Sequence, residues 1–248
     1  MRYLIISDIH ANLEALDAVL AALNPLGYDE VLVLGDLVGY GADPNGVVDR
    51  VRALNPFRII RGNHDKVAAG LEDGESFNTV ARSAVQWTHD TLTAENRDYL
   101  VNLPPGPIVV DERIEICHGS PFDEDAYVFD ELDSLRAFES STRQLCLFGH
   151  THVAVAFRRS EDRLDLLAGP GDTHEVKIVL EPGAMYLINA GSVGQPRDGD
   201  PRAAAAIVDA AAGHIELFRV NYPVEEAQRK IRAAGLPEVL AKRLAVGR

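Results

Sequence analysis

The stretch Tyr3-Leu4-Ile5-Ile6-Ser7-Asp8-Ile9-His10-Ala11-Asn12 passes directly from an unbroken apolar run into a knot of polar side chains. Consecutive large apolar residues leave no polar face, so Tyr3–Ile6 reads as a strand covered on both sides. Asn12 then suits the N-cap of a helix in which Leu13, Leu16, Val19, Leu20 and Leu23 recur at spacings of three and four. The same grammar returns twice. Val31-Leu32-Val33-Leu34 leads into Gly35-Asp36 and a helix opening at Pro44, with Val47, Val48, Val51 and Leu54 on one side. Phe57-Arg58-Ile59-Ile60 leads into Gly62-Asn63-His64-Asp65. Strand–helix–strand–helix–strand order makes a parallel sheet covered by helices the most economical arrangement.

Further along, residues 74–103 carry a helical pattern that stops at Pro104-Pro105. Strands are then expected at about 108–117, 145–148, 153–158, 163–168, 175–181, 184–189, 203–209 and 213–220, with few long helices between them. Gly and Pro clusters at 169–171, 182–183 and 191–201 punctuate this half and suit antiparallel pairing. Two short helices close the chain, one with Val224, Ala227 and Ile231, the other with Leu236, Val239, Leu240 and Leu244. The expectation is an α/β protein of two facing sheets with helices outside. It forms one domain over 1–248, with its core at about 1–220, a helical insert at about 74–103 and terminal helices at about 223–246.

With 38 acidic side chains against 24 basic ones, the net charge is −14, which disfavours stable binding to nucleic acid or anionic lipid. No apolar run approaches the ~18 residues of a membrane span, and the first residues lack the pattern of a secretory leader. Cys117 and Cys146 are too few for a disulfide framework and read as small buried strand residues, which favours the cytoplasm. Composition leaves the oligomeric state open, homo-oligomers included.

The chemistry gathers where strands end: Asp8-Ile9-His10, Gly35-Asp36, Gly62-Asn63-His64-Asp65, Cys117-His118-Gly119 and Gly149-His150-Thr151-His152. Strand carboxyl ends are where open α/β sheets build their sites. In extended backbone, residues two apart face the same way, so Asp8 with His10, and His150 with His152, are expected to converge in pairs. Asp, His and Asn without thiolate suit Mn²⁺, Fe or Zn²⁺ rather than Ca²⁺ or an iron–sulfur cluster. Seven such side chains exceed the needs of one tetrahedral ion and fit two ions sharing a bridge, for which Asp36 is the natural carboxylate. Two ions roughly 3.5–4 Å apart can hold a bridging hydroxide and clamp both oxygens of an in-line displacement at phosphorus. His89, His174 and His214 fall outside these segments and read as surface or packing residues. Arg159–Arg163 reads as a solvated hairpin turn.

This series resembles that of the calcineurin-like metallophosphoesterases over about residues 3–220. Ser7–Asn12, together with Asn189-Ala190-Gly191-Ser192-Val193-Gly194-Gln195-Pro196-Arg197-Asp198-Gly199, is similar to a bacterial and archaeal branch near diadenosine tetraphosphatase and the small phosphodiesterases. The resemblance implies a four-layer α/β/β/α sandwich and two divalent transition-metal ions, Mn²⁺ first. Asp8, His10, Asp36 and His152 would hold one ion; Asp36, Asn63, His118 and His150 would hold the other. His64 would stand at the leaving-group oxygen as proton donor or electrostatic stabiliser. Two such ions, two carboxylates and a hydroxide leave the site with net positive charge inside an acidic surface.

The implied activity is hydrolysis of a small-molecule phosphodiester or phosphomonoester, with a dinucleoside polyphosphate as the alternative substrate. A non-catalytic scaffold of this fold is a third reading, disfavoured because no ligand position is missing. Protein phosphatases of the superfamily carry Gly-Asp-x-Val-Asp-Arg-Gly, where this chain has Gly35-Asp36-Leu37-Val38-Gly39-Tyr40-Gly41. The Asp that orients their catalytic histidine is here Gly39, and the Arg that grips phosphate is Tyr40. Arg197 is the candidate replacement charge, Asn12 a candidate substrate contact, and Asp65 the neighbour that could partner His64. Phe77, Asn78 and Trp87 are candidate wall residues, with Trp87 read first as a packing residue.

Overall fold

Both faces of the first strand are covered, and its alternation shows by what. Leu4 and Ile6 join one apolar cluster with Leu16, Val19, Val47 and Val51, while Tyr3 and Ile5 join another with Ile116, Leu147 and Ile188. One strand thus packs helices on one side and a second sheet on the other. The computed structural model describes residues 1–161, 163–169 and 176–248.

The first half supplies β1 (Arg2–Ile6), α1 (Leu13–Leu23), β2 (Glu30–Val33), α2 (Pro44–Leu54), β3 (Arg58–Ile59), α3 (Asn63–Ala69), α4 (Thr79–Thr91) and α5 (Ala94–Val101). The second half supplies β4 (Ile108–Val109), β5 (Ile114–Ile116), α6 (Glu131–Ser140), β6 (Leu145–Phe148), β7 (Val155–Ser160), β8 (Arg163–Ala168), β9 (Val176–Val179), β10 (Met185–Asn189), β11 (Ala203–Asp209), β12 (His214–Val220), α7 (Val224–Ala233) and α8 (Glu238–Leu244). One sheet runs β3-β2-β1-β11-β12-β9 and the other β4-β5-β6-β10-β7-β8. Helices α1 and α2 cover the first sheet, and α6 covers the second through Phe138 against Phe148, Phe157 and Leu187. The result is an α/β/β/α sandwich.

Several local expectations change. The parallel trio β1, β2, β3 is not a sheet by itself, because β11 pairs antiparallel with β1 (Leu4 opposite Ile207) and brings β12 and β9 with it. The second sheet is not purely antiparallel, since β5, β6 and β10 run parallel. The expected strand 108–117 is two strands, because Asp111 Oδ1 accepts from the backbone N–H groups of Arg113 and Ile114 and closes a turn. The segment 74–103 is two helices, started by the side-chain caps of Asn78 and Thr93. Helices α3 and α6 were not expected. Gly62 and Gly70 bracket α3 so closely that its sequence reads as a turn, and exposed Leu132 and Leu135 blur the buried stripe of α6. His174 and the first residue of the 175–181 strand lie outside the described residues.

Leu147 is fully buried between the sheets, whereas Leu166 on β8 is 59% exposed. Leu147→Ala is expected to cost about 2–5 kcal/mol of stability by leaving a cavity. Leu166→Ala should stay within about 0.5 kcal/mol. Urea denaturation of both variants checks the assignment of the intersheet core.

Candidate metal centre

The loops after β1, β2 and β3 in one sheet meet the loops after β5 and β6 in the other. Together they carry Asp8, His10, Asp36, Asn63, His64, His118, His150 and His152. Convergence does not arise by strand alternation, as the sequence suggested. Asp8 (φ 52°), His10 (49°), Asp36 (52°), His150 (67°) and His152 (59°) are all left-handed, as is Tyr40 (61°). Each such residue costs roughly 1–2 kcal/mol, and strain of this kind collects at functional sites. Backbone bonds between the loops offset it: Asp8 N–H to Gly35 O (3.1 Å), His10 N–H to Asp36 O (3.0 Å) and Ala11 N–H to Leu37 O (2.9 Å). Close approach also requires Gly62, where a Cβ would overlap Asp36 Oδ1.

Four imidazoles are held from behind by backbone carbonyls. His10 Nδ1 meets Val38 O at 3.0 Å, His118 Nδ1 meets Leu34 O at 2.7 Å, and His152 Nδ1 meets Gln195 O at 2.7 Å. His150 uses its other nitrogen, Nε2, toward Asp125 O at 3.1 Å. A carbonyl only accepts, so each of these nitrogens carries a proton, and in the neutral form of the ring the opposite nitrogen turns a lone pair inward. His10 Nε2 and His152 Nε2 therefore face each other at 3.0 Å as two acceptors. Asp36 Oδ2 is buried, has no partner at hydrogen-bond geometry among the described residues, and lies 3.5 Å from His10 Nε2 and 3.4 Å from His118 Nε2, with which it makes an ion pair. Asn63 Oδ1 stands 3.3 Å from His118 Nε2. Donor atoms of Asp8, His10, Asp36 and His152 fall within 4.8 Å of one another, as do those of Asp36, His118 and His150. Facing lone pairs and an orphaned carboxylate oxygen are what a set of cation ligands looks like, so the residues fit divalent metal.

The electrostatics agree. Burial pushes Asp8 up to about 6, with His118 opposing and Asp36 adding to the shift. Burial disfavours a charged His118, yet Asp36 and Asp8 outweigh it and raise its pKa to about 10. Burial would also raise Asp36, but the surrounding imidazoles, His118 first, hold it well below the carboxylate range. His150 falls to about 3 through burial and the charge of His118, and burial takes His10 and His152 well below the usual range. The two carboxylates draw positive charge inward, and most of the imidazoles stay free to donate lone pairs.

Residues 1–213 match the family model of the calcineurin-like phosphoesterase superfamily domain. The chain belongs to the calcineurin-like phosphoesterase superfamily. It is 39% identical to a protein of Methanocaldococcus jannaschii over 98% of this chain and 97% of that one. A metallophosphoesterase from Sphaerobacter thermophilus shares 40% identity, with full coverage of both chains and a TM-score of 0.87. A protein from Pyrococcus horikoshii shares the fold, at 21% identity, 100% and 98% coverage and a TM-score of 0.77. Enzymes of this calcineurin-like family are metal-dependent hydrolases, and the buried Asp/His cluster of this chain is able to hold metal.

Around this calcineurin-like cluster the other candidates sort out. His64 is buried, its ring 4.3 Å from Tyr40 and 4.6 Å from Phe77 between centroids, and its Nδ1 has no hydrogen-bond partner among the described residues. A Cβ at Gly39 (φ 90°) would overlap that nitrogen, so no side chain at 39 orients it. Asp65 does not either, since its oxygens accept from Val38 N–H (3.2 Å) and Gly62 N–H (3.0 Å). Burial lowers His64 to about 4, against the pull of Asp36. Asn12 does not present its amide to a substrate. Its Oδ1 caps α1 at Ala15 N–H (3.1 Å), and its Nδ2 donates to Gly194 O (2.8 Å). Arg197 does reach the cluster, 5.5 Å above the Tyr40 ring, and its charge bears on His10, His64 and His152. Of the wall residues Phe77 touches His64, Asn78 caps α4, and Trp87 packs with α7 and α8. His89 packs on Ala68 O at 2.8 Å, and Cys117 and Cys146 are free and buried.

Two supports were invisible in the sequence. Tyr127 stacks on His150 at 4.0 Å, in a segment with no periodic pattern to flag it. Lys66 is buried on α3 and holds Asp125 (2.6 Å), Glu72 (3.0 Å) and Glu124 (3.3 Å), fixing the loop whose Asp125 carbonyl pins His150. Those three acids are occupied by an ammonium and need no ion. Lys66→Met should lower stability by roughly 1–3 kcal/mol. It should also weaken metal binding at His118/His150 more than at His10/His152, as metal titration followed by calorimetry would show.

Proposed function

We propose that this enzyme is a dinuclear metal-dependent phosphoesterase acting on a phosphodiester or phosphomonoester of a small molecule or nucleotide. One observation carries the reading: Asp36 Oδ2, buried and with no partner at hydrogen-bond geometry among the described residues, lies near both His10 Nε2 (3.5 Å) and His118 Nε2 (3.4 Å). Asp8, His10, Asp36 and His152 would hold one ion, and Asp36, Asn63, His118 and His150 the other. The oxygen and nitrogen donor set favours Mn²⁺, with Fe or Zn²⁺ next. Bound there, the ions supply an acidified water and neutralise charge on the phosphoryl oxygens. The chain's own groups do the positioning. The carbonyl-pinned imidazoles keep their lone pairs aimed inward without reorganisation. His64 Nδ1 has no hydrogen-bond partner among the described residues, which leaves the imidazole able to donate to an oxygen on which charge develops. The free thiols and the charge of −14 support a cytoplasmic enzyme of small substrates that binds nucleic acid weakly. Anhydride cleavage in a dinucleoside polyphosphate is a second reading, favoured by the guanidinium of Arg197 beside the cluster.

Two variants test the reading. Asp36→Asn should weaken both ions together, because one carboxylate serves both; two full equivalents retained in that variant would exclude the shared bridge. His64→Ala should keep both ions while lowering turnover by about 10²–10⁴-fold on an alkyl phosphoester. The loss should be much smaller on bis-p-nitrophenyl phosphate, whose leaving group departs without a proton. Equal losses on both substrates would assign His64 to phosphate binding instead.

A further inference from the structure

The family match ends at residue 213, yet the chain continues into α7 and α8. These helices pack against Tyr40 through Ala227, Ile231, Leu240 and Leu244, so they form a floor beneath a residue whose ring packs, tilted, against His10 and His64. From α8, Arg243 reaches toward Gln195 Oε1 at 3.5 Å. Arg197 donates to the same oxygen at 2.9 Å. Two partly buried guanidiniums thus share one neutral amide oxygen, and neither pairs with a carboxylate among the described residues. Each also keeps a buried Nε–H without a hydrogen-bond partner among the described residues. Burial and the nearby Arg197 charge make Arg243 a less comfortable cation. Elsewhere in this acidic protein the buried cations are answered: Lys66 by three carboxylates, Arg219 by Asp198. Two like charges are thus brought together beside Tyr40, whose ring touches His10 and His64, in a protein with an excess of acid, an arrangement suited to receiving an anion.

We propose that Arg197 and Arg243 form a subsite for a second phosphate of the substrate, adjoining the phosphate that is hydrolysed. The C-terminal helices then set specificity, favouring compounds with two linked phosphoryl groups over those with one. The inference rests on the phosphoester reading of the cluster but concerns a different contact. Gln195 ties the two together. Its side chain receives both guanidiniums, while its backbone carbonyl holds His152.

The test is calorimetric binding to the manganese-loaded protein, with phenylphosphonate as the single-phosphate probe and α,β-methylene-ADP as the double one. Wild type should prefer α,β-methylene-ADP, and Arg243→Gln should lose roughly 10- to 100-fold in affinity for it. Phenylphosphonate affinity should change less than about twofold by the same argument. Arg243→Lys, which restores charge without the planar fork, should recover part of the loss and shows that α8 still folds. Equal weakening of both probes would make Arg243 a support for Gln195 and overturn the proposal. No preference in wild type, with two orthophosphate ions bound independently, would assign the arginines to a separate anion and overturn it as well. Binding is read without turnover, so failure here is distinguishable from absence of phosphoesterase activity, which would instead sink the functional reading.

Discussion

Two carboxylates and four imidazoles are packed almost completely out of water, and apart from His118, which the carboxylates hold protonated, their inward atoms are acceptors. Buried acceptors facing one another at 3.0–3.5 Å are costly unless something positive lies among them. Much of the surrounding structure serves that arrangement. The left-handed loop residues aim the side chains, the loop-to-loop backbone bonds hold those residues in place, and carbonyls fix the tautomers. The two sheets meet at an edge where their strand ends can share one cluster.

The outer supports follow the same logic. The 191–199 loop is anchored to the first strand's end by Ser192 Oγ to Asp8 O (2.7 Å) and Val193 N–H to Ser7 O (3.0 Å), and then offers Gln195 O to His152. Lys66 fixes the loop that offers Asp125 O to His150. Each metal-facing imidazole from the second sheet's later loop thus leans on a segment distant in sequence. The C-terminal helices complete the frame by packing on Tyr40, and with Arg243 they extend it from holding the site to selecting what enters it.

The site was more legible in the sequence than the fold around it. Asp8, His10, Asp36, Asn63, His64, His118, His150 and His152 sit in short polar segments directly after apolar runs, and position in a strand–loop grammar survives even when local geometry is misread. Alternation in extended backbone predicted the right neighbours for the wrong reason, since four of the paired residues are left-handed. Sheet partnership was less legible, because nothing in Tyr3–Ile6 names β11 as its antiparallel neighbour; long-range pairing is decided by packing. Asn12 looked available because N-capping and substrate contact ask for the same amide. Lys66, Tyr127 and Arg243 went unseen because the contacts that give them their roles (Lys66 to Asp125, Tyr127 to His150, Arg243 to Gln195) are tertiary, with no local pattern to mark them.

We propose that the cluster is built around two cations sharing Asp36. Anomalous diffraction from crystals of the manganese-loaded protein tests it most directly. Two peaks are expected roughly 3.5–4 Å apart, one on each side of Asp36. A single peak, or two peaks that do not both contact Asp36, would contradict it.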